Sequence, residues 1–170
     1  MKSFLSFMMA LAILSSFLSS CKKDSAASTG YYVKANVNGT EINYTGFTSA
    51  MFLTIPSGQP TPFSVLNIEG MNTQDATTDV LALGITDFSA ITTKTYTDVA
   101  VGYTFQGTIS YYDASNNQYN SVMALTPAVK ITITEITSSY VAGTFSGTAA
   151  TISTGKTAVI TNGSFKVKRQ

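Results

Sequence analysis

The feature that most limits the fold of this chain is the alternation of apolar and polar residues that begins near residue 31. Val33, Ala35 and Val37 alternate with polar neighbours, and the same period of two recurs in most later segments. Successive side chains of a β-strand point to opposite faces of its sheet, so this period is typical of strands with one buried face. No run of helical periodicity as long as two turns occurs in that region. The pattern therefore predicts an all-β fold.

Turn signals divide the alternating segments into hairpins. Asn38-Gly39 and Asn162-Gly163 accept the positive φ of a tight hairpin turn. Residues 113–117 (DASNN) and Gly155-Lys156-Thr157 also have the character of turns. The predicted β segments, in order, are residues 31–37, 42–47, 51–55, 63–69, 80–86, 96–97, 101–112, 118–125, 129–136, 140–145, 159–160 and 165–167. Of these, 51–55 is a short apolar run and 96–97 a brief edge piece, so about ten segments are full strands. We expect an antiparallel β-sandwich or β-barrel of about nine or ten strands with mostly meander connections.

The first twenty residues differ from the rest of the chain. Lys2 precedes an uncharged apolar run from Phe4 to Leu18, which ends in Leu18-Ser19-Ser20-Cys21. This segment resembles a bacterial lipoprotein signal, in which a Leu stands three residues before an obligatory Cys. The resemblance implies cleavage between Ser20 and Cys21 and attachment of lipid to the Cys21 thiol. The alternatives are a transmembrane anchor, for which the run is short because about 20 apolar residues are needed, and a secretory signal with an incidental cysteine.

Three regions follow from this reading. Residues 1–20 are a lipoprotein signal peptide, and residues 21–30 are the lipidated cysteine with a small, polar and flexible tether. Residues 31–170 form a single all-β domain, a length that suits one hydrophobic core. Cys21 is the only cysteine, so no disulfide forms within the chain.

The charge of the mature chain is balanced. Cleavage removes Lys2 from the ten basic residues and leaves nine, which equal the nine acidic residues. A neutral chain with scattered lysines has no strong field for a polyanion, so we expect no nucleic-acid partner.

Several chemistries are excluded or disfavoured by the residues themselves. The chain contains no histidine and its single cysteine is expected to be acylated, so it cannot build a Ser-His-Asp or Cys-His site or a histidine-containing zinc site. Glu69 and Glu135 are candidate carboxylates for a glycosidase, but alternation places Glu135 on the solvent side. We expect no catalytic residues and no cofactor.

Two motifs imitate ligand sites. Gly155-Lys156-Thr157 resembles the end of a phosphate-binding loop, but the earlier glycine of that motif is replaced by Ala150. Oxygen-bearing side chains of the sort that Ca²⁺ uses occur in two loops, without the spacing of a known calcium loop. These side chains are Asp75, Asp79, Asp113, Asn116 and Asn117. We interpret both motifs as turns and expect no metal.

Tyrosines are the remaining candidates for binding. In the pairs Tyr31-Tyr32 and Tyr111-Tyr112 one ring must face outward, because adjacent strand residues point to opposite faces. Tyr111, Tyr112 and Tyr119 are therefore candidate ligand-facing aromatics, since exposed tyrosines stack on sugars or contact a protein partner. Core packing and edge protection are the alternatives.

The last forty residues carry a family resemblance. The tail with the segments ITIT, GTF and ITNGSF is similar to small uncharacterised lipoproteins of the Bacteroidota. The resemblance implies an outer-membrane setting and no particular activity. Asp24-Ser25-Ala26 is similar to the O-glycosylation signal of exported proteins from that phylum, which makes Ser25 a candidate modification site.

These observations favour a non-catalytic lipoprotein of the cell envelope. We expect membrane attachment through lipid on Cys21 and a β domain that binds a ligand or partner, such as a glycan or an envelope protein. A structural or accessory subunit that pairs strands with another protein is the alternative. A carboxylate-based glycosidase is a second, weaker alternative.

Overall fold

The structure is a computed structural model that describes residues 30–55, 63–72, 79–98, 105–126, 128–151 and 154–170. It is all-β, as the alternation predicted. The strands are β1 (Tyr32–Val37), β2 (Thr40–Tyr44), β3 (Phe47–Ile55), β4 (Phe63–Met71), β5 (Val80–Asp87), β6 (Thr95–Thr97), β7 (Phe105–Tyr112), β8 (Gln118–Asn120), β9 (Lys130–Ile136), β10 (Tyr140–Ala150) and β11 (Thr157–Arg169). The helical element of these residues is one 3-10 turn, Ser121–Met123, and none of their helices is long and apolar enough to cross a bilayer.

Several predicted features fall outside the described residues. These are the leader, Ser20, Cys21, Ser25, the proline-rich segment 56–62, Asp75 and residues 101–104 of the seventh predicted strand. They stay predictions.

All eleven strands belong to one mixed sheet in the order β2-β1-β11-β3-β4-β5-β7-β8-β10-β9-β6, with a further pairing of β10 and β11. The described pairings are antiparallel, as expected, except in one place, where β11 and β3 pair in parallel through Lys168 with Ser49 and Arg169 with Ala50. This pairing joins strands from opposite ends of the chain. Hairpin signals are local, so they could not indicate it.

The sheet folds into two facing layers. Close contacts across the interior join β4 to β1, β7 to β6 and β7 to β10. With the strand order, they place β2, β1, β11, β10, β9 and β6 in a first layer and β3, β4, β5, β7 and β8 in a second. The layers are joined through β11 and β3 and through a single pair, Ala150 with Asn120, between β10 and β8. The hydrogen-bonded circuit therefore closes on itself, and the arrangement combines features of a sandwich and a barrel.

The core lies between the layers. In β5 the side chains of Leu81, Leu83 and Ile85 are buried, while the intervening residues are partly exposed. Across the core, Gly70 of β4 lets Val33 of β1 approach so closely that an added Cβ would lie 2.6 Å from the valine Cβ. Burial of each large apolar side chain contributes about 1.5–3 kcal/mol, so the alternating residues supply the main driving force for this fold.

The two Asn-Gly dipeptides have different roles. Asn38 and Gly39 have φ values of 51° and 84° and form the turn between β1 and β2, as predicted. Asn162 also has a positive φ of 53°, but it lies inside the continuous strand β11, so the prediction of a hairpin turn there was wrong. Gly163 pairs with Phe145 whereas Ile160 pairs with Gly147, which places an extra residue in β11. Positive φ suits a β-bulge as well as a turn, and the dipeptide alone does not distinguish them.

Candidate functional site: an amide-lined cleft

A cleft of about 280 Å³ opens where the turn between β7 and β8 meets the end of β10. Its lining residues are Asn116, Asn117, Gln118, Asn120, Met123, Ala150 and Thr151. Four of them carry carboxamides, each of which offers an acceptor oxygen and two N–H donors. No lining residue is charged, so the cleft suits an uncharged polar ligand.

Asp113 fixes the turn that carries the first amides. Its Oδ1 accepts the backbone N–H groups of Ser115 at 2.9 Å and Asn117 at 2.8 Å, and its Oδ2 accepts from Asn117 Nδ2 at 2.8 Å. Asn116 has a φ of 60°, which an asparagine tolerates in such a turn. The hydrogen bond from the Asn117 side chain, with those from the backbone, holds the pKa of Asp113 below its usual range. The predicted turn at 113–117 is confirmed. The Asp113 carboxylate is engaged in hydrogen bonds within this turn.

β8 ends at Asn120, which lines the cleft, and Ser121 begins the 3-10 turn that follows. Asn120 Nδ2 donates to Ser110 Oγ at 3.1 Å, and its Oδ1 accepts the N–H of Val122 at 2.9 Å. Ser121 Oγ accepts the buried N–H of Ile109 at 3.0 Å and thereby replaces a backbone partner. The returning strand is therefore shorter than the predicted span 118–125, because side chains take over its ladder bonds. Asn116 and Gln118 are exposed, so their amides face solvent.

The three candidate tyrosines are divided between the two faces of the sheet. Tyr111 and Tyr119 pair across β7 and β8 with their rings stacked at 5.8 Å, and Tyr119 is only 8% exposed. The Tyr119 hydroxyl is 3.4 Å from Asp113 Oδ2. Both rings thus pack toward the interior, and neither lines the cleft. Tyr112 points to the opposite face beside Gln118, its partner across the ladder, and it is the one of the three that faces outward.

A second polar cluster lies at the same end of the domain. The buried Tyr44 hydroxyl donates to Asp79 Oδ1 at 2.7 Å, and Asn72 Nδ2 lies 3.2 Å from Asp79 Oδ2. Burial, together with the hydrogen bond to Asp79, raises the pKa of Tyr44 well above its usual range. The Asp79 N–H lies 3.4 Å from the carbonyl of Asp113, so this cluster braces the turn that carries the amides. The loop sequence predicted turns here, but not this contact between them.

The two glutamates proposed as a catalytic pair lie on strands that are not neighbours. Glu69 is on β4, opposite Ser49 and Ala82. Glu135 is on β9, exposed as expected, and it accepts the Tyr140 hydroxyl at 2.6 Å. This geometry gives a carboxylate-pair mechanism no support.

Sequence reasoning missed a buried ion pair between Asp87 and Lys94. Asp87 is 2% exposed, and its Oδ2 lies 2.7 Å from Lys94 Nζ. Its Oδ1 accepts from both the N–H and the hydroxyl of Ser89, at 2.8 and 2.7 Å. The lysine ammonium also lies 5.0 Å and 4.9 Å from the ring centroids of Tyr96 and Phe105. The sequence did contain a signal for the burial of Asp87, because this residue continues the buried positions 81, 83 and 85 of β5. The ion pair stabilises the fold and does not line the cleft.

No group of three or more metal-ligating side chains occurs within the described ranges. Comparison of the chain with protein-family models, with curated proteins and with solved structures found no match.

Proposed function

We propose that this protein is a lipid-anchored lipoprotein of the cell envelope whose β domain binds an uncharged, hydroxyl-rich ligand, such as a glycan, without catalysis. The observation that carries the binding proposal is the cleft lined by four carboxamides at the tip of β7 and β8. The anchoring proposal rests on the lipobox-like segment that ends at Cys21. An outer-membrane location follows from the resemblance of the tail.

The chemistry of the cleft favours sugars over charged ligands. A sugar hydroxyl both donates and accepts hydrogen bonds, and a carboxamide offers both functions in return. Met123 and Ala150 add apolar surface against which the C–H groups of a sugar ring can pack. The volume is close to the lower end of the range of ligand pockets, about 300–1,000 Å³, which suits a single sugar unit of a longer chain.

Binding of the purified full chain to a glycan array tests this proposal, with affinities of retained glycans then measured by calorimetry. The double substitution Asn116→Ala, Gln118→Ala removes two solvent-facing amides, each worth about 0.5–1.5 kcal/mol, so affinity falls about tenfold. Asn43→Ala removes an exposed amide of β2 that does not line the cleft, and leaves affinity unchanged. An array that retains no glycan, or a double variant that binds as well as the parent, contradicts the proposal.

A second candidate function, an accessory subunit, is favoured by the edge of β3. The parallel pairing with β11 reaches only Ser49 and Ala50, and within the described residues no strand pairs with that edge from Met51 onward. Met51 and Leu53 are each 52% exposed on this segment. An unpaired edge with apolar side chains is suited to the addition of a strand from another protein.

Site-specific photo-cross-linking in intact cells tests the second candidate. A cross-linker in place of Leu53 should capture a partner chain, whereas one in place of Val159, an exposed apolar residue of β11, should not. Recovery of monomer alone from the Leu53 position removes this candidate.

A further inference from the structure

Charge is distributed unevenly over the described residues, in which basic and acidic side chains are equal in number. The described basic residues are Lys34, Lys94, Lys130, Lys156, Lys166, Lys168 and Arg169, and the described acidic residues are Glu41, Glu69, Asp79, Asp87, Asp98, Asp113 and Glu135. The strands of the second layer, as described, contain no lysine or arginine. The strands of the first layer contain five basic residues against two glutamates. The outer surface of the first layer is therefore the basic side of the molecule.

Three lysines gather at one end of this layer. Val33, Phe165 and Val167 point into the core, so their neighbours along β1 and β11 point outward. The ladder places Tyr32 opposite Lys166 and Tyr140 opposite Lys168. The outward side chains Tyr32, Lys34, Tyr140, Lys166 and Lys168 are called the basic face below.

Two of the three lysines of the basic face lie over aromatic rings. Lys34 Nζ lies 5.5 Å from the ring centroid of Tyr32, and Lys166 Nζ lies 4.5 Å from that of Tyr140. Within the described ranges, no ion pair joins a lysine of the basic face to a carboxylate. The nearby Glu135 accepts the Tyr140 hydroxyl instead. The positive charges of this face are thus available to an external anion.

The basic face lies beside the point where the chain leads to its proposed anchor. Gly30, Tyr31 and Lys168 border the same shallow depression. The nine residues from Lys22 to Gly30 span at most about 30 Å, so a lipid on Cys21 keeps this end of the domain close to the bilayer.

We propose that the basic face rests on a bilayer surface that carries anionic lipid head groups; this inference builds on the proposed lipid anchor. Lysine ammoniums bind phosphate groups at such a surface, and tyrosines are enriched at the boundary between lipid and water. The 11-residue strand β10 runs from Tyr140 on this face to Ala150 in the amide-lined cleft, a length of about 35 Å. None of the basic-face residues lines the cleft, so the membrane contact and the cleft use different residues.

The test reconstitutes the full chain, purified from cells, into vesicles of phosphatidylcholine alone or of an equal mixture with phosphatidylglycerol. Lysine acetylation is then followed by mass spectrometry. In the anionic vesicles Lys34, Lys166 and Lys168 should react several times more slowly than in the neutral ones. Lys156, exposed in the turn before β11, should react equally in both. In 1 M salt, where the screening length is about 3 Å, the protection should disappear.

Matched substitutions give the test its control. Each lysine near an anionic surface strengthens binding about fivefold, so Lys166→Gln should weaken the contact by that factor. Lys156→Gln removes the same charge and should not. Equal acetylation of the basic face in both kinds of vesicle overturns the proposal. It is also overturned if Lys156→Gln reduces the protection of the remaining basic-face lysines as much as Lys166→Gln does.

The mass of the N-terminal peptide separates this inference from the anchor. If that peptide carries no lipid, the anchoring proposal fails. Binding of the same full chain to added anionic vesicles then still decides whether the basic face recognises lipid phosphate. Binding to anionic glycans but not to vesicles of either composition overturns the membrane contact.

Discussion

Replacement of Lys94 by methionine isolates the contribution of the buried ion pair. Methionine keeps the apolar stem that packs on Tyr96 and Phe105 but removes the ammonium that lies 2.7 Å from Asp87 Oδ2. No other hydrogen-bond donor serves that buried oxygen within the described ranges. Removal of one partner from a buried ion pair costs about 3–5 kcal/mol. Because Lys94 is itself 36% exposed, water screens the pair, and we expect a loss of about 2 kcal/mol at pH 7.

The pH dependence of this loss is also fixed by the pair. Burial opposes ionisation of Asp87, but hydrogen bonds from Lys94 and Ser89 outweigh it and hold the pKa of the carboxyl below its ordinary value of 3.8. The stabilisation is therefore present above pH 3.8 and is lost as the pH falls through the lower folded pKa. In Lys94→Met the hydrogen bond that offsets burial is lost, so we expect the pKa of Asp87 to be higher than in the parent. The difference in stability between parent and variant should shrink toward pH 4.

Urea unfolding followed by circular dichroism at pH 7 and pH 4 measures both effects. Lys156→Met serves as the control, because it removes an exposed lysine that lies in a turn. A Lys94→Met variant within about 0.5 kcal/mol of the parent at pH 7, or one with the same loss at both pH values, refutes the reasoning.

Four further outcomes follow from particular residues. Asn162→Val should cost about 1–3 kcal/mol, because a β-branched residue is strained at positive φ, whereas Asn162→Gly should be tolerated in the same unfolding assay. Gly70→Ala should lower the thermal midpoint by several degrees, since the new Cβ would lie 2.6 Å from that of Val33. Ser121→Ala should cost about 1–3 kcal/mol in urea unfolding by leaving a buried N–H of β7 unpaired. Stability should fall above pH 10.0, the ordinary tyrosine pKa, because the folded pKa of Tyr44 is raised, and Tyr44→Phe should reduce that slope.

Local patterns in the sequence indicated most strands of this fold. Alternation located β1, β4, β5 and β9, because one face of each is buried and the other is wet. It could not show which distant strands pair. The parallel contact of Lys168 with Ser49 joins the two ends of the chain, and no local signal encodes it.

The candidate site was predictable only in part. The turn at 113–117 was read correctly from its Asp and Asn residues, but they were interpreted as a turn and not as the wall of a cleft. The cleft also needs Thr151 from the end of β10, which approaches only through the single pair of Ala150 with Asn120. Tyrosine alternation correctly put one ring of the pair Tyr111-Tyr112 outside, yet it could not show that Tyr119 would stack beneath.

The most direct test of the account is the intact mass of the first peptide of the native protein, since the anchoring proposal depends on it and the membrane contact of the basic face builds on that anchor. We predict that the chain starts at Cys21 and that this residue carries a thioether-linked diacylglyceryl group and an acylated amino group. A peptide that retains residues 1–20, or a Cys21 with a free thiol, would contradict the account.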